Sequence, residues 1–334
     1  MGRPRAPWPT LPGMRAAQVV TLTGPTDVVV QEVPDATAGE GQVLVEVHAV
    51  GTSFPDLLLS RGEYQMKPEP PFTLGVDVAG VVVSGEGFEP GQRVCAVQGY
   101  GGASELAAMP VDSTFALPDA LSFEEGAAMP MNYLTAQFAL AERAGLREGE
   151  TVLVHGAAGG VGTATIQVAK GYGARSVAVV STEEKAEVAR QAGADEVVLL
   201  DGWKDAVKDL TGGKGVDVVM DVVGGDVFLD SLRSLAPQGR LLVVGFAAGQ
   251  GIPEVKVNRL LLNNTDVRGV GWGAYAMARP GYMQQQWAAL VPMIEAGVVK
   301  PPVGRTYAFE EFGQALVDLD ERRTLGKGVV RLRD

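Results

Sequence analysis

The arrangement of apolar and polar residues divides the chain into two parts with different periodicities. From Met14 to about Pro130, apolar and polar residues alternate in short runs rich in Val, Gly and Pro. Alternation with a period of two is typical of strands that bury one face. The clearest run places Val43, Val45, Val47 and Ala49 on one face and Leu44, Glu46, His48 and Val50 on the other. This part is predicted to be mostly β and barrel-like.

After a helical segment near residues 122–145, strand patterns and helix patterns alternate. The runs that read as strands are nearly all apolar: TVLVH, SVAVVS, EVVLL, VDVVMDVV and RLLVVGF. Strands that are apolar on both faces indicate a parallel sheet covered by helices on both sides. A sixth run, DVRGVGW at 266–272, is a candidate extension of this sheet. The fold class is therefore predicted to be α/β.

The stretch VLVHGAAGGVGTATIQVAKGYGA at 152–174 reads as a strand, a tight turn and a helix. Aligned with the pattern G-x-G-x-x-G, it has Ala157 at the first position and Gly159 and Gly162 at the other two. Such a turn directs the free N–H groups of a helix toward the pyrophosphate of a dinucleotide. The apolar strand before it and the helix face formed by Val161, Ala164, Val168 and Tyr172 favour this interpretation over a turn that only packs a helix on a strand.

The end of the second strand of this region bears on the choice of dinucleotide. An acidic residue there binds the free 2′-hydroxyl of NAD, whereas this chain has Ser181 and Thr182, with Lys185 following. Two hydroxyls and an ammonium suit a 2′-phosphate, so NADPH is favoured over NADH. The alternative is that Ser181 and Glu184 form a capping box and that Lys185 is a solvated helix lysine.

Composition and charge argue against several functional classes. The net charge of −12 disfavours binding to nucleic acid or to an anionic membrane, and the sequence has no apolar run of the roughly 18 residues that a membrane span needs. A single cysteine excludes an internal disulfide framework and is consistent with a reducing cytoplasm. Residues 1–13 lack the apolar core of a signal peptide and are predicted to be a flexible extension.

Few side chains in this chain could bind zinc. Cys95, His48 and His155 are far apart in sequence and are interpreted as core residues rather than ligands. Without a Lewis acid, hydride transfer from NADPH is easiest to an acceptor that spreads the resulting charge over a conjugated system. A quinone or an enone is such an acceptor, so the sequence favours a reductase over a zinc alcohol dehydrogenase.

Several motifs together resemble the zinc-free quinone oxidoreductases of the medium-chain dehydrogenase/reductase superfamily. They are, in chain order, VLVEVHAVGTSFPDLLLSRGEY, PPFTLGVDVAGVV, HGAAGGVG, VVMDVVGG and LGKGVV. The resemblance implies a GroES-like catalytic domain, formed by 14–132 and 275–334, with a Rossmann NADPH-binding domain inserted at 133–274. In zinc-dependent relatives, the first metal-binding cysteine aligns with Ser53 and a metal-binding histidine aligns with Val76. Both differences support the metal-free branch.

The resemblance also implies roles for individual residues. Ser53 stands near the nicotinamide, Thr135 contacts the cofactor, and Gly245 and Phe246 hold the carboxamide. Arg322 or Arg323 is a candidate second ligand of the 2′-phosphate. The motifs and the resemblance together predict cofactor contacts from Thr135, Ala158, Gly159, Gly160, Val161, Gly162, Ser181, Thr182, Lys185, Gly245, Phe246 and Arg323.

Tyr64 and Ser53 are the predicted catalytic residues. In related enoyl-thioester reductases a tyrosine at the position of Tyr64 protonates the enolate carbon, whereas in quinone reductases it lines the substrate cleft. Asp56 is expected to satisfy backbone N–H groups. The predicted function is NADPH-dependent reduction of a quinone in a homodimer. The alternatives are reduction of enones or 2-enoyl thioesters, and NADPH binding without turnover.

Overall fold

The computed structural model describes residues 13–333, and the strands in this range form three sheets. The predicted extension at 1–13 lies outside the described residues except for Gly13, which already pairs with Pro34 in the first strand. The strands are β1 Gly13–Val19, β2 Val28–Pro34, β3 Gln42–Gly51, β4 Phe72–Thr73, β5 Asp77–Gly85, β6 Arg93–Val97, β7 Leu106–Pro110, β8 Thr114–Ala116, β9 Thr151–His155, β10 Arg175–Val180, β11 Glu196–Leu199, β12 Val216–Asp221, β13 Leu235–Val243, β14 Asp266–Gly269, β15 Val303–Ala308 and β16 Lys327–Arg331.

Helices cover the sheets and connect the parallel strands. They are α1 Phe54–Ser60, α2 Phe123–Ala127, α3 Pro130–Gln137, α4 Gly160–Gly171, α5 Glu183–Gln191, α6 Trp203–Leu210, α7 Val227–Arg233, α8 Asn258–Asn263, α9 Trp272–Met277, α10 Tyr282–Glu295 and α11 Phe312–Asp320. A π-helical segment, Phe138–Ala144, continues α3, and short 3-10 turns lie at Pro25–Asp27, Val111–Ser113 and Phe309–Glu311.

The second half of the chain forms the predicted doubly wound sheet. Its strand order is β11-β10-β9-β12-β13-β14, and every neighbouring pair is parallel. This order reverses direction between β9 and β12, where open α/β sheets bind ligands beyond the carboxyl ends of their strands. The sixth run contributes the edge strand β14. The prediction of a parallel sheet in an α/β fold is confirmed.

The first half of the chain forms two mostly antiparallel sheets, which the final strand completes. One sheet has the order β15-β16-β3-β5-β6-β8, with β7 also pairing with β3, and the other has the order β2-β1-β4. Strand β16 pairs antiparallel with β3, so the two ends of the chain build one β domain. The predicted alternation of β3 is confirmed as far as Val47, because Val43, Val45 and Val47 are buried in one core. It is wrong beyond that point, because the register shifts between Val47 and Ala49, so that Val50 joins that core and Ala49 packs in another.

Helix α4 is buried on more sides than its predicted single apolar face implies. Thr163, Thr165 and Gln167 are buried as well as Ala164 and Val168. The reason is that α4 packs between the parallel sheet and α3, where Tyr133 Oη donates a hydrogen bond to Gln167 Oε1 at 2.7 Å. This packing holds α4 between α3 and the parallel sheet.

Candidate active site

The turn between β9 and α4 is shaped by two glycines in different ways. Gly156 adopts a φ of +62°, in the left-handed region that favours glycine. A Cβ on Gly162 would lie 2.3 Å from the Gly156 carbonyl oxygen, so only glycine lets the helix approach the turn. The sequence alignment gave the first motif position to Ala157, but the structure places the left-handed turn residue one position earlier, at Gly156. The alanine at position 157 therefore does not prevent the tight turn, because Gly156 makes it.

A cavity of about 260 Å³ lies between this turn and the β domain. Its lining comes from both halves of the chain: Thr52, Ser53, Phe54, Asn132, Gly156, Gly159, Gly160, Val161, Gly162, Val222, Val244, Gly245, Phe246, Ala247, Leu319, Thr324, Gly326, Lys327 and Gly328. The backbone next to β16 contacts the glycine turn directly, because the Gly326 N–H donates to the Ala158 carbonyl at 2.8 Å. The cleft is therefore built where the β domain meets the carboxyl ends of β9 and β12.

Two observations indicate that a dinucleotide fits this cleft. The turn is open at Gly159, because a Cβ there would have the Gly156 oxygen at 3.4 Å as its nearest neighbour. Among the residues that the structure describes, Thr324 Oγ1 is one of two buried side-chain polar atoms without a hydrogen-bond partner, and Thr324 lines the cavity. A free helix N-terminus next to an unsatisfied hydroxyl is suited to a polar, anionic ligand.

The floor of the cleft contains a buried ionic cluster. Lys327 Nζ donates to Asp77 Oδ2 at 2.7 Å and to Ser53 Oγ at 2.8 Å, and Ser53 Oγ donates to Asp77 Oδ2 at 2.9 Å. The other carboxylate oxygen of Asp77 accepts the N–H of Met131 at 2.8 Å. The side chain of Lys327 is 5% exposed and that of Asp77 is fully buried. Sequence reasoning placed Ser53 near the reacting groups but gave Lys327 no role.

The lysine reaches this position because both of its neighbours are glycines. Gly326 has a φ of +65°, and a Cβ there would lie 2.3 Å from the Pro302 oxygen. A Cβ on Gly328 would lie 2.7 Å from Thr52 Oγ1. A lysine flanked by glycines at the start of an apolar final strand was the signal in the sequence that could have revealed this residue.

Asp56 supports the backbone around the cluster. Its carboxylate accepts the N–H groups of Ser53, at 3.1 Å, and Gly75, at 2.9 Å, as expected from the sequence. Burial raises the pKa of Asp56 to about 7, although these hydrogen bonds and the charge of Lys327 oppose the shift. Asp56 therefore fixes the start of α1, which carries Ser53 into the cleft.

The residues predicted to bind a 2′-phosphate lie together at the end of β10. Lys185 Nζ donates to Ser181 Oγ at 3.2 Å, and Thr182, not Ser181, caps α5 by accepting the N–H of Lys185 at 3.3 Å. The proposed capping box from Ser181 is thus wrong, which leaves the Ser181 hydroxyl available. Glu183 is paired with Arg190 at 2.7 Å, so its charge is balanced locally.

The structure brings some of the remaining predicted residues into the cleft and not others. Ser53, Gly245 and Phe246 line the cavity, whereas Thr135 is buried in α3 and Tyr64 is half-buried against the core of the β domain. Arg323 is not among the lining residues, and its guanidinium is held by Asp318 at 2.8 Å. Arg322 instead donates to the carbonyls of Ala247 and Ala248, at 2.8 and 3.0 Å, beside Phe246.

None of the three residues considered as metal ligands from the sequence lines the cavity. Cys95 and His155 are buried, and His48 stacks on Phe123 with ring centroids 4.3 Å apart. His155 Nε2 is 2.7 Å from Ser231 Oγ, and burial lowers its pKa to about 4. Within residues 13–333 no group of three or more His, Cys, Asp and Glu side chains is arranged to hold a metal ion. None of the helices in this range has the length and apolar character needed to cross a membrane.

Comparisons with known proteins agree with this architecture. A family model described as an alcohol dehydrogenase GroES-like domain matches residues 39–119, and one described as a zinc-binding dehydrogenase matches residues 160–296. The chain is 37% identical over 326 residues to quinone oxidoreductase-like protein 2 of Rattus norvegicus, covering 96% of this chain and 92% of that protein.

Solved structures share the fold over nearly the whole chain. A probable oxidoreductase from Mycobacterium abscessus is 43% identical with a TM-score of 0.87, covering 96% of this chain and 99% of that one. The quinone oxidoreductase from Thermus thermophilus, solved alone and with NADPH, is 36% identical with a TM-score of 0.82, covering 96% of this chain and 100% of that one. The chain belongs to the quinone oxidoreductase family of the medium-chain dehydrogenase/reductase superfamily, whose members share this pairing of a GroES-like domain with a Rossmann-like parallel sheet.

Proposed function

We propose that this oxidoreductase is an NADPH-dependent, zinc-independent reductase that transfers a hydride to a quinone. The observation that carries the proposal is that one cavity is lined both by the N-terminus of α4 and by the Lys327–Ser53 pair. The first can hold a pyrophosphate, and the second presents polar hydrogens to a carbonyl oxygen. A dinucleotide and a carbonyl acceptor can therefore meet in the same cleft.

The cofactor is proposed to bind along the carboxyl edge of the parallel sheet. The N–H groups at the start of α4 would hold the pyrophosphate, while Ser181 and Lys185 would hold the 2′-phosphate of the adenosine. Gly245 and Phe246 line the cavity on the side of β13 and are proposed to position the nicotinamide carboxamide. Two NADPH-binding relatives of the same fold, including the Thermus thermophilus enzyme, support this choice of cofactor.

Reduced nicotinamide supplies a hydride when it is bound, and the residues of the chain orient the acceptor and exclude water. The cavity walls are largely apolar apart from Ser53, Lys327, Asn132 and two threonines, so a planar conjugated ring can pack there with its oxygen toward the cluster. Orientation and desolvation are the main contributions that the protein makes to such a transfer.

A quinone is favoured over an activated alkene by the place of Tyr64. Reduction of an enone or enoyl thioester ends with protonation of carbon, for which a phenol is a suitable acid. Tyr64 is not among the residues lining the cavity, and burial raises the pKa of its phenol. A quinone needs protons only on oxygen, because its reduced ring is aromatic.

The test is to follow NADPH consumption with a simple para-quinone and a short 2-enoyl thioester in parallel, with NADH as the cofactor control. Turnover of the quinone, unchanged by a zinc chelator and by Tyr64→Phe, is the expected result. Turnover of the thioester alone, with a large loss in Tyr64→Phe, would replace the proposal with enoyl reduction. Binding of NADPH without turnover of either acceptor would indicate a binding protein.

A further inference from the structure

Lys327 is a buried cation beside the position where an acceptor would bind. Burying an ammonium group is unfavourable unless it is paired and hydrogen-bonded, and Lys327 meets this condition through Asp77 and Ser53. Within residues 13–333 these are the two acceptors that bond to Nζ. Since an ammonium has three N–H groups, one is left for a ligand or a water molecule in the cavity that Lys327 lines.

Ser53 connects this cation to the cavity. Its hydroxyl accepts from Lys327 Nζ at 2.8 Å and donates to Asp77 at 2.9 Å, and Ser53 lines the cavity while being 4% exposed. A hydroxyl held in this way can donate one proton and receive another without moving its oxygen. A small rotation about the Cβ–Oγ bond turns its hydrogen from Asp77 toward a ligand.

We propose that Ser53 is the catalytic proton donor to the oxygen of the acceptor, and that Lys327 is the positioning residue that restores the proton to Ser53. This inference rests on the proposed function, which it deepens by assigning the proton that accompanies the hydride. The Lys327 ammonium thereby places a positive charge next to Ser53, the residue that aligns with a metal-binding cysteine of zinc-dependent relatives.

Atoms and electrons balance in this step. Bound reduced nicotinamide would supply a hydride, and with it two electrons, so that the quinone would become a hydroquinone monoanion. The Ser53 Oγ–H bond breaks as an O–H bond forms on that anion, and a Lys327 N–H bond breaks as Ser53 Oγ is reprotonated. Neutral Lys327 stays hydrogen-bonded to Asp77 and regains a proton from water. The overall change is one quinone, one NADPH and one proton converted to hydroquinone and NADP⁺.

The other titratable groups near the cluster are not placed to donate. Asp77 uses both carboxylate oxygens as acceptors, and Asp56 accepts two backbone N–H groups behind α1. Cys95, which pairs with Ala79 on the strand that carries Asp77, is fully buried, and burial raises the pKa of its thiol well above the usual range. Tyr64, whose pKa is raised by burial and by the nearby charge of Asp56, does not line the cavity. Ser53 is thus the hydroxyl that has both access and a proton source.

The first test compares Ser53→Ala with Ser60→Ala as a matched control. Ser60 is a buried serine at the other end of α1, and its hydroxyl donates to the Leu57 carbonyl at 2.7 Å. Loss of a general acid typically lowers kcat about 100-fold or more. We expect such a fall for Ser53→Ala with a para-quinone, partial recovery in Ser53→Thr, and NADPH affinity within about twofold of wild type by fluorescence titration. A kcat for Ser53→Ala within about threefold of wild type would overturn the proposal.

The second test addresses Lys327 without leaving an unpaired charge. The double variant Lys327→Met with Asp77→Asn removes both buried charges together, so its folding is expected to survive better than that of either single change. If Lys327 acts through Ser53, adding Ser53→Ala to this variant lowers kcat no further. Additive losses would show that the lysine acts independently and would reject the relay.

A binding measurement separates this proposal from the proposed function. Para-nitrophenolate resembles the monoanion formed on hydride transfer and has a distinct absorbance. Because para-nitrophenol is a stronger acid than a hydroquinone, Ser53 and Lys327 should stabilise its anion by hydrogen bonding without protonating it. Wild-type protein with NADP⁺ should shift bound para-nitrophenol toward phenolate, and this shift should be lost in Ser53→Ala and in the Lys327/Asp77 variant. The shift would support the site even if no quinone is turned over, in which case the proposed function alone has failed. Absence of the shift in wild type would overturn the relay.

Discussion

Lys185 Nζ, in the first turn of α5, lies 3.2 Å from the Oγ of Ser181, the residue that follows β10. We expect Lys185→Ala to raise KM for NADPH about 10-fold or more, because a charge-assisted contact to phosphate is lost, and to leave KM for NADH unchanged. Lys208→Ala, on an exposed turn of α6, is the matched control. Steady-state kinetics with both cofactors measure the effect. Equal changes with NADPH and NADH would contradict a phosphate contact.

Gly162 and Gly159 are expected to respond differently to alanine. Gly162→Ala would place a Cβ 2.3 Å from the Gly156 oxygen, which should lower the free energy of unfolding by about 1–3 kcal/mol and weaken NADPH binding. Gly159→Ala has 3.4 Å of clearance and should fold as wild type does. Urea unfolding monitored by circular dichroism, with NADPH titration, measures both. Equal stability of Gly162→Ala and wild type would show that the turn relaxes.

Arg322 hydrogen-bonds to the segment after β13 and so connects it to the β domain. Its guanidinium donates to the Ala247 and Ala248 carbonyls, so Arg322→Ala should loosen Phe246 and weaken NADPH binding about 2- to 10-fold. Arg323→Ala should leave NADPH affinity unchanged, because Arg323 is engaged by Asp318. Isothermal titration calorimetry measures both variants. A larger effect at Arg323 would support the sequence-based prediction that this residue binds the phosphate.

His155 makes the stability of the parallel sheet depend on pH. Burial lowers its folded pKa to about 4 from about 6.5 in the unfolded chain, so the unfolded state binds a proton first as the pH falls. The contribution of His155 is fully present above pH 6.5 and is lost progressively toward pH 4, by about 3 kcal/mol in total.

Urea unfolding at pH 7, 5.5 and 4.5 measures this dependence. As the pH falls, the free energy of unfolding should decrease less steeply in His155→Gln than in wild type, whatever the absolute stability of the variant. Parallel slopes for His155→Gln and wild type would show that another group dominates.

The edge strand β14 is proposed to pair with its copy in a second chain. In the described part of the chain β14 pairs on one side only, with β13, and four exposed apolar side chains flank it on the segment before it: Ile252, Val257, Leu261 and Leu262. An exposed edge beside an apolar surface favours two-fold pairing. Leu261→Asp with Leu262→Asp should convert a dimer to a monomer in sedimentation analysis, whereas Val83→Asp, exposed elsewhere, should not. A wild-type monomer would contradict the proposal.

The alternating pattern of β3 and the apolar runs of the parallel sheet were enough to predict both halves of the fold. The strands of the first half alternate apolar and polar residues, and those of the parallel sheet are apolar throughout. Both patterns are local properties of the sequence and predict which strand faces are buried. The polar side chains at the end of β10 were also predicted to lie together, and Ser181, which precedes the N-cap Thr182, does contact Lys185 in the first turn of α5. The alternative interpretation gave the cap of α5 to Ser181, but Thr182 caps the helix, because both residues are good caps and the backbone path selects between them.

Local sequence patterns were enough to predict the strands of the parallel sheet, the stretch that contains the glycine turn and the polar residues that end β10. Tertiary structure alone decided that Gly156 makes the turn, that Tyr64 stays outside the cavity lining, and that Lys327 joins Asp77 across 250 residues of chain. Local pattern fixes an element because neighbouring residues share one backbone geometry, whereas a buried ion pair depends on how distant elements pack together. That packing brings the last strand under the glycine turn and completes the cleft.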